Sequence, residues 1–425
     1  MWDKALTYCR QAGTRAYDRA AFREAVAAFE QALQALAHVP EDGDTRVLAI
    51  DLRRVLGNAL TQLGEHGRHL ILLGEAETLA RALDDRARLG RVLASRALGL
   101  MITADLDGAI AAGQQALDLA VKLGDRALQG EASLRLGPVY YAIGDFGRAA
   151  ELMQRNVEAA NRESGRASID ARIGSQAWLA RTLGQLGAFA EGRRHGEEAL
   201  RLATLEGRGN TPIVAHAWVG HLYLVKGDLE HAIRVCDQGL ALCRASGIRN
   251  ILPQIVACLG YAYALQGRLA EGYALLEEGI SEGIRTGGML GLTARVAWFS
   301  EVCRLTGRGE EAWQHARQAL DLARQQKARG EEAHALHQLG TVYAHADPPD
   351  VVQAEAYYQQ ALILAEELGM RPLQAHCHHG LGRLYGQTGR GAQARAELST
   401  AMEMYRTMEM SFWLPQVEAA LAQIA

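Results

Sequence analysis

The sequence is poor in proline and in aromatic residues, with 8 prolines in 425 residues and 6% Phe, Trp and Tyr. Proline is excluded from helix interiors because it lacks an amide hydrogen and clashes with the preceding turn, so its scarcity favours long helical segments. No stretch shows the period-two alternation of β-branched residues that is typical of strands. Ala and Leu, both good helix formers, dominate the 49% of residues that are hydrophobic. This composition predicts an all-α protein.

Long apolar runs, an excess of basic charge and regular cysteine spacings are also missing. No apolar run approaches the roughly 20 residues of a membrane span, and charges interrupt the N-terminal segment where a secretory signal would lie. The net charge is −4, without the basic stripe of a nucleic-acid-binding domain. The six cysteines are scattered, as expected for reduced thiols. We therefore expect a cytoplasmic protein without a membrane or nucleic-acid partner.

Enzyme signatures are absent from the sequence too. It contains no phosphate-binding P-loop, no nucleophile elbow and no HExxH zinc motif. The sequence also predicts no strands, on which the P-loop and the nucleophile elbow depend. We therefore predict that the chain is not an enzyme and binds no cofactor.

What the sequence does have is a spacing rule that recurs along the whole chain. A small residue is followed after seven positions by a turn residue, and after five more by another small residue. Clear copies are Gly13-Ala20-Ala25, Ala97-Ala104-Ala109, Gly137-Gly144-Ala149, Gly220-Gly227-Ala232, Ser300-Gly307-Ala312 and Gly382-Gly389-Ala394; weaker ones begin at Gly57, Ala180, Gly260 and Gly340. A period of about forty residues indicates stacked helix pairs, and we predict ten of them.

This rule resembles the tetratricopeptide repeat (TPR), and the resemblance covers essentially the whole chain. As in that family, several copies place an aromatic residue three positions after the first small residue, for example Tyr140 and Tyr223. The resemblance implies a right-handed superhelical α-solenoid in which the first helix of each pair lines the concave face. We expect the solenoid to occupy residues 1–410 and a capping helix to occupy 411–425, with no separate catalytic domain.

A narrower resemblance concerns residues 2–33 and the connectors that rhyme with LGDRA at 123–127. They are similar to the C-terminal TPR arrays of large bacterial signalling proteins, where an ATPase or a class III adenylate or guanylate cyclase domain precedes the array. This resemblance implies that the chain is the regulatory region of a larger protein whose catalytic parts lie upstream.

The TPR resemblance also indicates which side chains face the groove, because these occupy fixed positions around the small residue of each first helix. At those positions the two ends of the chain are polar and the middle is apolar, a pattern that suits an amphipathic helix or an extended peptide. Alternatively, the apolar middle packs against its own superhelix. The predicted binding residues are Asp51, Arg54, Asn58, Gln62, Arg181, His221, Tyr261, Glu301, Arg304, His334, His337, His376, His379, Arg383 and Gln387.

Four of these residues are histidines in matching positions of adjacent repeats, His334 and His337 followed by His376 and His379. Imidazole is a good zinc ligand, so the four could form a metal site. They could also form a proton-sensitive patch, because histidine titrates near pH 6.5. Solvated groove histidines are the commoner arrangement, and we predict no metal.

Two further groups have a plain and a functional interpretation. Trp178, Trp218 and Trp298 share one position of the repeat, where they could pack between repeats or form an aromatic ladder for a ligand. Cys236 and Cys243 share a helix face and could form a reactive pair, although free cysteines more often act as small buried hydrophobes.

These observations leave two hypotheses about function. The first is a non-catalytic scaffold for protein–protein interaction that binds a peptide or protein segment in the concave groove. The second is a sensor module in which a small ligand changes the curvature of the solenoid and thereby regulates an attached ATPase or cyclase.

Overall fold

The computed structural model describes residues 2–162, 166–207 and 209–424. Within these ranges the chain forms helices and no strand. The helices are α1 (Trp2–Asp18), α2 (Phe22–Leu36), α3 (Gly43–Gln62), α4 (His66–Ala82), α5 (Arg86–Ile102), α6 (Leu106–Leu123), α7 (Arg126–Ile143), α8 (Phe146–Ala160), α9 (Arg166–Gln185), α10 (Phe189–Glu206), α11 (Thr211–Lys226), α12 (Leu229–Ser246), α13 (Leu252–Leu265), α14 (Leu269–Thr286), α15 (Leu292–Leu305), α16 (Gly309–Gln326), α17 (Arg329–Ala344), α18 (Val351–Glu367), α19 (Arg371–Gln387), α20 (Gly391–Thr407) and α21 (Leu414–Ala422). The predicted all-α fold of ten helix pairs and a terminal helix is confirmed. None of the described helices combines the length and apolarity needed to cross a membrane.

The helix boundaries follow local signals in the connectors. Gly124 ends α6 with a φ of +64°, a conformation that glycine adopts without steric cost. Asp125 then caps α7, because its side chain accepts a hydrogen bond from the Leu128 amide at 3.0 Å. The LGDRA sequence thus stops one helix and starts the next. Part of the similar connector at 163–167 lies outside the described residues.

Small residues lie where the two helices of a pair cross. A β-carbon added to Gly260 would lie 2.9 Å from the carbonyl oxygen of Gly272, and one added to Gly272 would lie 2.6 Å from the carbonyl oxygen of Gly260. The backbones of α13 and α14 are therefore in direct contact. A side chain at either position would force the two helices apart.

The helices form two layers. The odd-numbered helices contact one another in series from α3 to α19, in addition to their own partners. They therefore form the inner layer, and the even-numbered helices lie outside. This is the arrangement that the resemblance implied for the first helix of each pair.

The inner layer meets itself after about five repeats, where α17 packs on α7 and α19 on α9. The Arg249 amide donates to the Gln62 carbonyl oxygen at 2.9 Å, and the Met289 amide donates to the Ile102 carbonyl oxygen at 2.8 Å, each across 187 residues. We call these contacts the seam. On one side of the seam are the turns within the second to sixth helix pairs, at 62–64, 102–104, 144, 187 and 227. On the other side are connectors between later pairs, or the first residues of the helices that follow them, at 249, 286–290, 330, 371 and 408–413.

The turn glycines show how far the seam extends. A β-carbon on Gly144 would lie 3.0 Å from the Gly330 amide nitrogen. By contrast, Gly267, Gly307 and Gly389, which close later pairs, would have no described atom within 4 Å of an added β-carbon. The next superhelical turn thus covers the turns of the second to sixth repeats and leaves later ones uncovered.

The seam changes the expected binding surface. The sequence predicts an open concave groove, but contact between successive superhelical turns closes much of that face into internal cavities. The spacing rule acts within and between neighbouring repeats, so it carries no information about a contact 187 residues away. The expectation of a groove that is open along its whole length is therefore wrong, and only the tertiary structure shows this.

The terminal helix α21 begins at Leu414, three residues after the predicted start, with Pro415 in its first turn. Its buried Val417 packs with Leu398 and Tyr405 of α20. The segment before it reaches the first superhelical turn, because a β-carbon on Gly227 would lie 2.9 Å from Phe412 Cβ. This end of the chain therefore covers the last repeat and contributes to the seam.

Candidate functional site in the central cavity

The larger internal cavity, here the central cavity, has a volume of about 540 Å³. It is lined by inner helices from α7 to α19 and by the segment before α21. Eleven of the predicted binding residues line it: Arg181, His221, Tyr261, Glu301, Arg304, His334, His337, His376, His379, Arg383 and Gln387. The groove positions of six successive repeats, the fifth to the tenth, thus converge on one space.

The four predicted residues of the second repeat lie elsewhere. Asp51 accepts hydrogen bonds from Arg88 at 3.2 Å, and the Gln62 carbonyl oxygen takes part in the seam. Neither Arg54 nor Asn58 lines the central cavity. The prediction of one continuous groove is therefore wrong for this repeat, because α3 lies two repeats before α7, the first inner helix that lines the cavity.

Arg181 forms one wall of the central cavity. Its guanidinium carbon lies 4.1 Å from the ring centre of Trp218 and 4.4 Å from that of Tyr141. Trp178 also faces this guanidinium at 5.1 Å and packs on Trp218 with ring centres 4.5 Å apart. Aromatic faces stabilise a desolvated cation, so these rings hold Arg181 in place.

Glu301 and Arg304, which also line the cavity, form a partly buried ion pair. Arg304 donates to both oxygens of Glu301, at 2.7 and 3.0 Å, and Gln338 donates to Glu301 at 3.0 Å. Hydrogen bonds from Arg304 offset the burial of Glu301, and the pKa of its carboxyl group is lowered. The pair is self-contained, so its charges largely cancel within the cavity.

The clustered histidines are neutral at neutral pH. Burial lowers the pKa of His334, His337 and His379 to about 4, and it also lowers that of His376, to well below the usual value. His376 Nδ1 lies 2.6 Å from the Tyr405 hydroxyl oxygen. The hypothesis of solvated groove histidines that titrate near pH 6.5 is therefore wrong for this cluster.

Several residues that line the central cavity carry a buried polar atom with no hydrogen-bond partner among the described residues. These atoms are Arg181 Nε, His221 Nδ1, Glu331 Oε2, His379 Nε2 and Trp413 Nε1. Burying an unpaired polar group costs about 1–3 kcal/mol. Five such groups around one space favour a site whose partners come from a ligand or from bound water.

Positive charge predominates around the cavity. Its lining contains three guanidinium groups, Arg181, Arg304 and Arg383, and two carboxyl groups, Glu301 and Glu331. Burial raises the pKa of Glu331, while the guanidinium groups of Arg181 and Arg295 oppose this shift. Directly behind Glu331, Arg295 is 1% exposed and donates to the Leu290 carbonyl oxygen at 3.1 Å.

Sequence reasoning missed Tyr141, Glu331 and Trp413, which also line the cavity. Tyr141 follows the aromatic position of its repeat by one residue, and Glu331 lies in the first turn of α17, outside the family's groove positions. Trp413 precedes the terminal helix and reaches the cavity only because of the seam. Tyr141 lies four residues after Gly137, at one of the groove positions of its repeat, so the spacing rule was the available signal for it, whereas the other two depend on tertiary packing.

The remaining candidates take structural positions. Within the described residues, no group of three or more His, Cys, Asp or Glu side chains is arranged to hold a metal ion. Trp298 stacks on Tyr261 with parallel rings 5.2 Å apart and lines the central cavity, so the three tryptophans form no continuous ladder. Cys236 and Cys243 are buried, and burial raises the pKa of the Cys243 thiol to about 12.

Comparison with known proteins agrees with this architecture. Residues 90–279 match the family model of the MalT-like TPR region. Curated relatives from Mycobacterium bovis and Mycobacterium tuberculosis, provisionally named HTH-type transcriptional regulators, are 28% identical over 233 residues. The match covers 53% of this chain and 25% of the relatives, so the chain spans about a quarter of their length.

Two solved structures share the fold at low sequence identity. A Rap protein complexed with Competence and Sporulation Factor has a TM-score of 0.60 and is 14% identical, covering 86% of this chain and 98% of that chain. A monomeric mutant of IFIT1 with Gppp-AAAA has a TM-score of 0.52 and is 14% identical, covering 96% of this chain and 90% of that chain. The predicted resemblance to tetratricopeptide repeats is thus confirmed: the chain folds as stacked helical repeats, and residues 90–279 are similar to the MalT-like TPR region.

Proposed function

We propose that the chain is a non-catalytic sensing scaffold that binds a small acidic ligand in the central cavity. The observation that carries this proposal is the convergence of five unpaired buried polar atoms and eleven predicted groove residues on one space of about 540 Å³. Cavities of about 300–1,000 Å³ suit small organic ligands. A cavity of this size, open to solvent on one side only in part, favours the small-ligand hypothesis over a long peptide that follows the whole groove.

The charges of the cavity favour an anionic group. Glu301 and Arg304 neutralise each other. The other charged groups of the lining are the guanidinium groups of Arg181 and Arg383 and the carboxyl group of Glu331, and burial raises the pKa of that carboxyl group. Arg181 is 6% exposed, and its Nε atom can still donate a hydrogen bond. A carboxylate or phosphate would gain a charge-assisted hydrogen bond there, while Tyr261 and Trp298 provide apolar surface for its body.

The end of a peptide chain is a second candidate. Arg383, Gln387 and Gln416 line the cavity and are exposed, so the cavity opens to solvent at its C-terminal side. Through that opening a few terminal residues of a protein partner could place their carboxylate inside. This version retains the interaction-scaffold hypothesis with a shorter bound segment.

We further propose that the scaffold acts within a larger bacterial signalling protein. The regulator names of the curated relatives, which extend well beyond the matched region, support this context. So does the Rap protein, which was solved with Competence and Sporulation Factor bound. A bound ligand would act on an attached module by changing how tightly the seam holds successive superhelical turns together.

Binding of small acids is the test. Benzoate, phenyl phosphate and uncharged benzyl alcohol are titrated against the protein, with the thermal midpoint and calorimetric affinity as readouts. We expect an acid to bind and benzyl alcohol not to bind. Arg181→Gln should weaken acid binding about tenfold to a hundredfold, the range expected for one hydrogen bond to a charged group.

Arg54→Gln is the matched control, because Arg54 was predicted to bind but does not line the central cavity. Equal weakening by the two variants, or equal binding of benzyl alcohol, would contradict the proposal. The second candidate, the end of a peptide chain, is tested with a tetrapeptide that has a free C-terminal carboxylate and with the same tetrapeptide as its C-terminal amide. Binding of the free-carboxylate tetrapeptide, without binding of its amide or of benzoate, would favour the peptide end over a small acid.

A further inference from the structure

A second, smaller cavity lies on the N-terminal side of the central cavity and has a volume of about 280 Å³. Its lining comes from the inner helices α5 to α13, from Tyr17 and from the seam connector at 286–290. Trp178 and Trp218 line this cavity, whereas Arg181, which they contact, lines the central one. The aromatic stack around Arg181 is therefore the wall between two separate spaces.

The smaller cavity has its own set of unpaired polar atoms. Trp218 Nε1 and Arg135 Nε are donors without a partner, and Asn250 Oδ1 and Gln254 Oε1 are acceptors without a partner, among the residues that the structure describes. Trp218 is 2% exposed, so bulk water does not solvate its indole N–H. A balanced set of two donors and two acceptors differs from the cationic character of the central cavity.

The orientation of Gln254 is fixed by the seam. Its side-chain nitrogen donates to the Leu290 carbonyl oxygen at 2.8 Å. The oxygen of the same amide is consequently left without a donor. Any group that donates to this oxygen would bind a side chain that already holds the connector between two superhelical turns.

A proline inside α7 adds one more acceptor. Pro138 has no amide hydrogen, so it cannot donate to the carbonyl oxygen of Leu134 four residues earlier, as other helical residues would. Both residues line the smaller cavity. The helix thus loses a backbone hydrogen bond at the wall of this cavity rather than on the outer face of the solenoid.

We propose that the smaller cavity is a second ligand site, which binds a compact, planar, uncharged group with both a hydrogen-bond donor and an acceptor. A carboxamide or a lactam ring has this chemistry. Trp178, Trp218 and Tyr17 provide aromatic surface for a flat group, and Arg135 and Asp170 carry opposite charges, so the lining favours no net charge on the ligand. The volume is close to the lower end for small-molecule sites.

The test uses acetamide, nicotinamide and uracil as probes of the intact chain, with saturation-transfer NMR and calorimetry as readouts. We expect at least nicotinamide or uracil to bind. Val214→Phe, which places a ring in the cavity from α11, should abolish binding. Trp218→Phe, which keeps an aromatic ring but removes the N–H donor, should weaken binding about three- to tenfold, as for one neutral hydrogen bond.

His379→Gln is the control, because His379 lines only the central cavity. It should leave the affinity for nicotinamide and uracil unchanged. Circular dichroism of each variant establishes that it is folded, and Trp218→Phe keeps the test decisive if Val214→Phe does not fold. Absence of binding by all three probes, or equal weakening by His379→Gln and Trp218→Phe, would overturn the proposal and indicate that water alone satisfies these atoms.

This site and the acid site can fail independently. Benzoate binding tests Arg181 in the central cavity, whereas nicotinamide binding tests Trp218 in the smaller one. If only one of these two ligands binds, only the cavity that binds it is a ligand site.

Discussion

At the scale of single residues, the histidines show how burial overrides intrinsic chemistry. Their ordinary pKa is near 6.5, but burial lowers that of His334 and His337 to about 4. In the unfolded chain these groups bind protons at a higher pH than in the folded protein. Their neutral, buried state thus stabilises the fold above pH 6.5, and this contribution is lost as the pH falls towards 4.

We therefore predict that the free energy of unfolding falls between pH 6.5 and about 4, by up to about 3 kcal/mol for each of these histidines. Urea unfolding at several pH values measures it. His334→Gln should flatten the dependence, whereas His38→Gln, at an exposed histidine stacked on Trp2, should not. A profile that is identical in wild type and His334→Gln would contradict the lowered pKa.

A second prediction at this scale concerns glycines inside helices. Gly260→Ala should lose about 1–3 kcal/mol of stability, because the added methyl group meets the backbone of α14. Gly74→Ala should gain about 0.5–1 kcal/mol, because the same change in the interior of α4 meets no described atom within 4 Å and improves helix propensity. Chemical denaturation of the two variants compares them; equal effects would argue against close helix crossing at Gly260.

At the scale of elements, the seam distinguishes turns that occupy the same position in the repeat and share a glycine there. Gly144 and Gly307 both have positive φ, +89° and +77°, so alanine at either position carries backbone strain. Only Gly144 also lies against a later connector, at Gly330. Ion pairs across the seam, such as Lys226 with Glu409 at 3.3 Å, have at least one largely exposed partner, so they contribute little.

We predict that Gly144→Ala costs more stability than Gly307→Ala, by about 1–2 kcal/mol of overpacking at the seam. Thermal and urea unfolding of both variants give the difference, in which the strain common to both turns cancels. If the two variants lose equal stability, successive superhelical turns are not in contact at Gly144.

At the scale of the whole molecule, the seam adds long-range contacts to an otherwise one-dimensional array. In a simple solenoid each repeat contacts only its neighbours, so unfolding can begin at one end and spread. Here the turns of the second to sixth repeats are also held by segments that lie 184 to 224 residues later. Both ends of the chain thus depend on each other.

This coupling predicts cooperative unfolding that a weakened seam should disrupt. The double variant Gly144→Ala, Gly227→Ala should unfold over a broader urea range, with a lower m-value than wild type, because parts of the array then unfold separately. Gly307→Ala, Gly389→Ala is the control with the same number of strained turns away from the seam. Equal m-values for the two double variants would mean that the seam does not couple the ends.

Ligand binding should also be detectable at the seam. If an acid in the central cavity holds the superhelical turns together, the Met289 amide, which donates to Ile102, should exchange its hydrogen more slowly in the bound state. Hydrogen exchange with and without benzoate measures this. The Leu128 amide, which is capped locally by Asp125, is the internal control. Unchanged protection at Met289 together with proven benzoate binding would separate ligand binding from seam tightening.

The sequence by itself determined the repeat and its boundaries, because these depend on interactions between near neighbours. Turn glycines need positive φ, Asp125 caps the helix that follows it, and Gly260 and Gly272 let two adjacent helices touch. All of these leave a signal at fixed short spacings. The same logic identified Arg181, His221 and the four clustered histidines as residues of the inner face.

Only the tertiary structure decided what the inner face encloses. Closure depends on the small rotation between successive repeats, which accumulates over five of them until Gly144 meets Gly330 and Met289 meets Ile102. No spacing rule encodes that sum, since each repeat contributes a small part through its whole packing surface. This accumulation excludes Asp51 and Arg54 from the central cavity, adds Glu331 and Trp413 to it, and divides the expected groove into separate cavities.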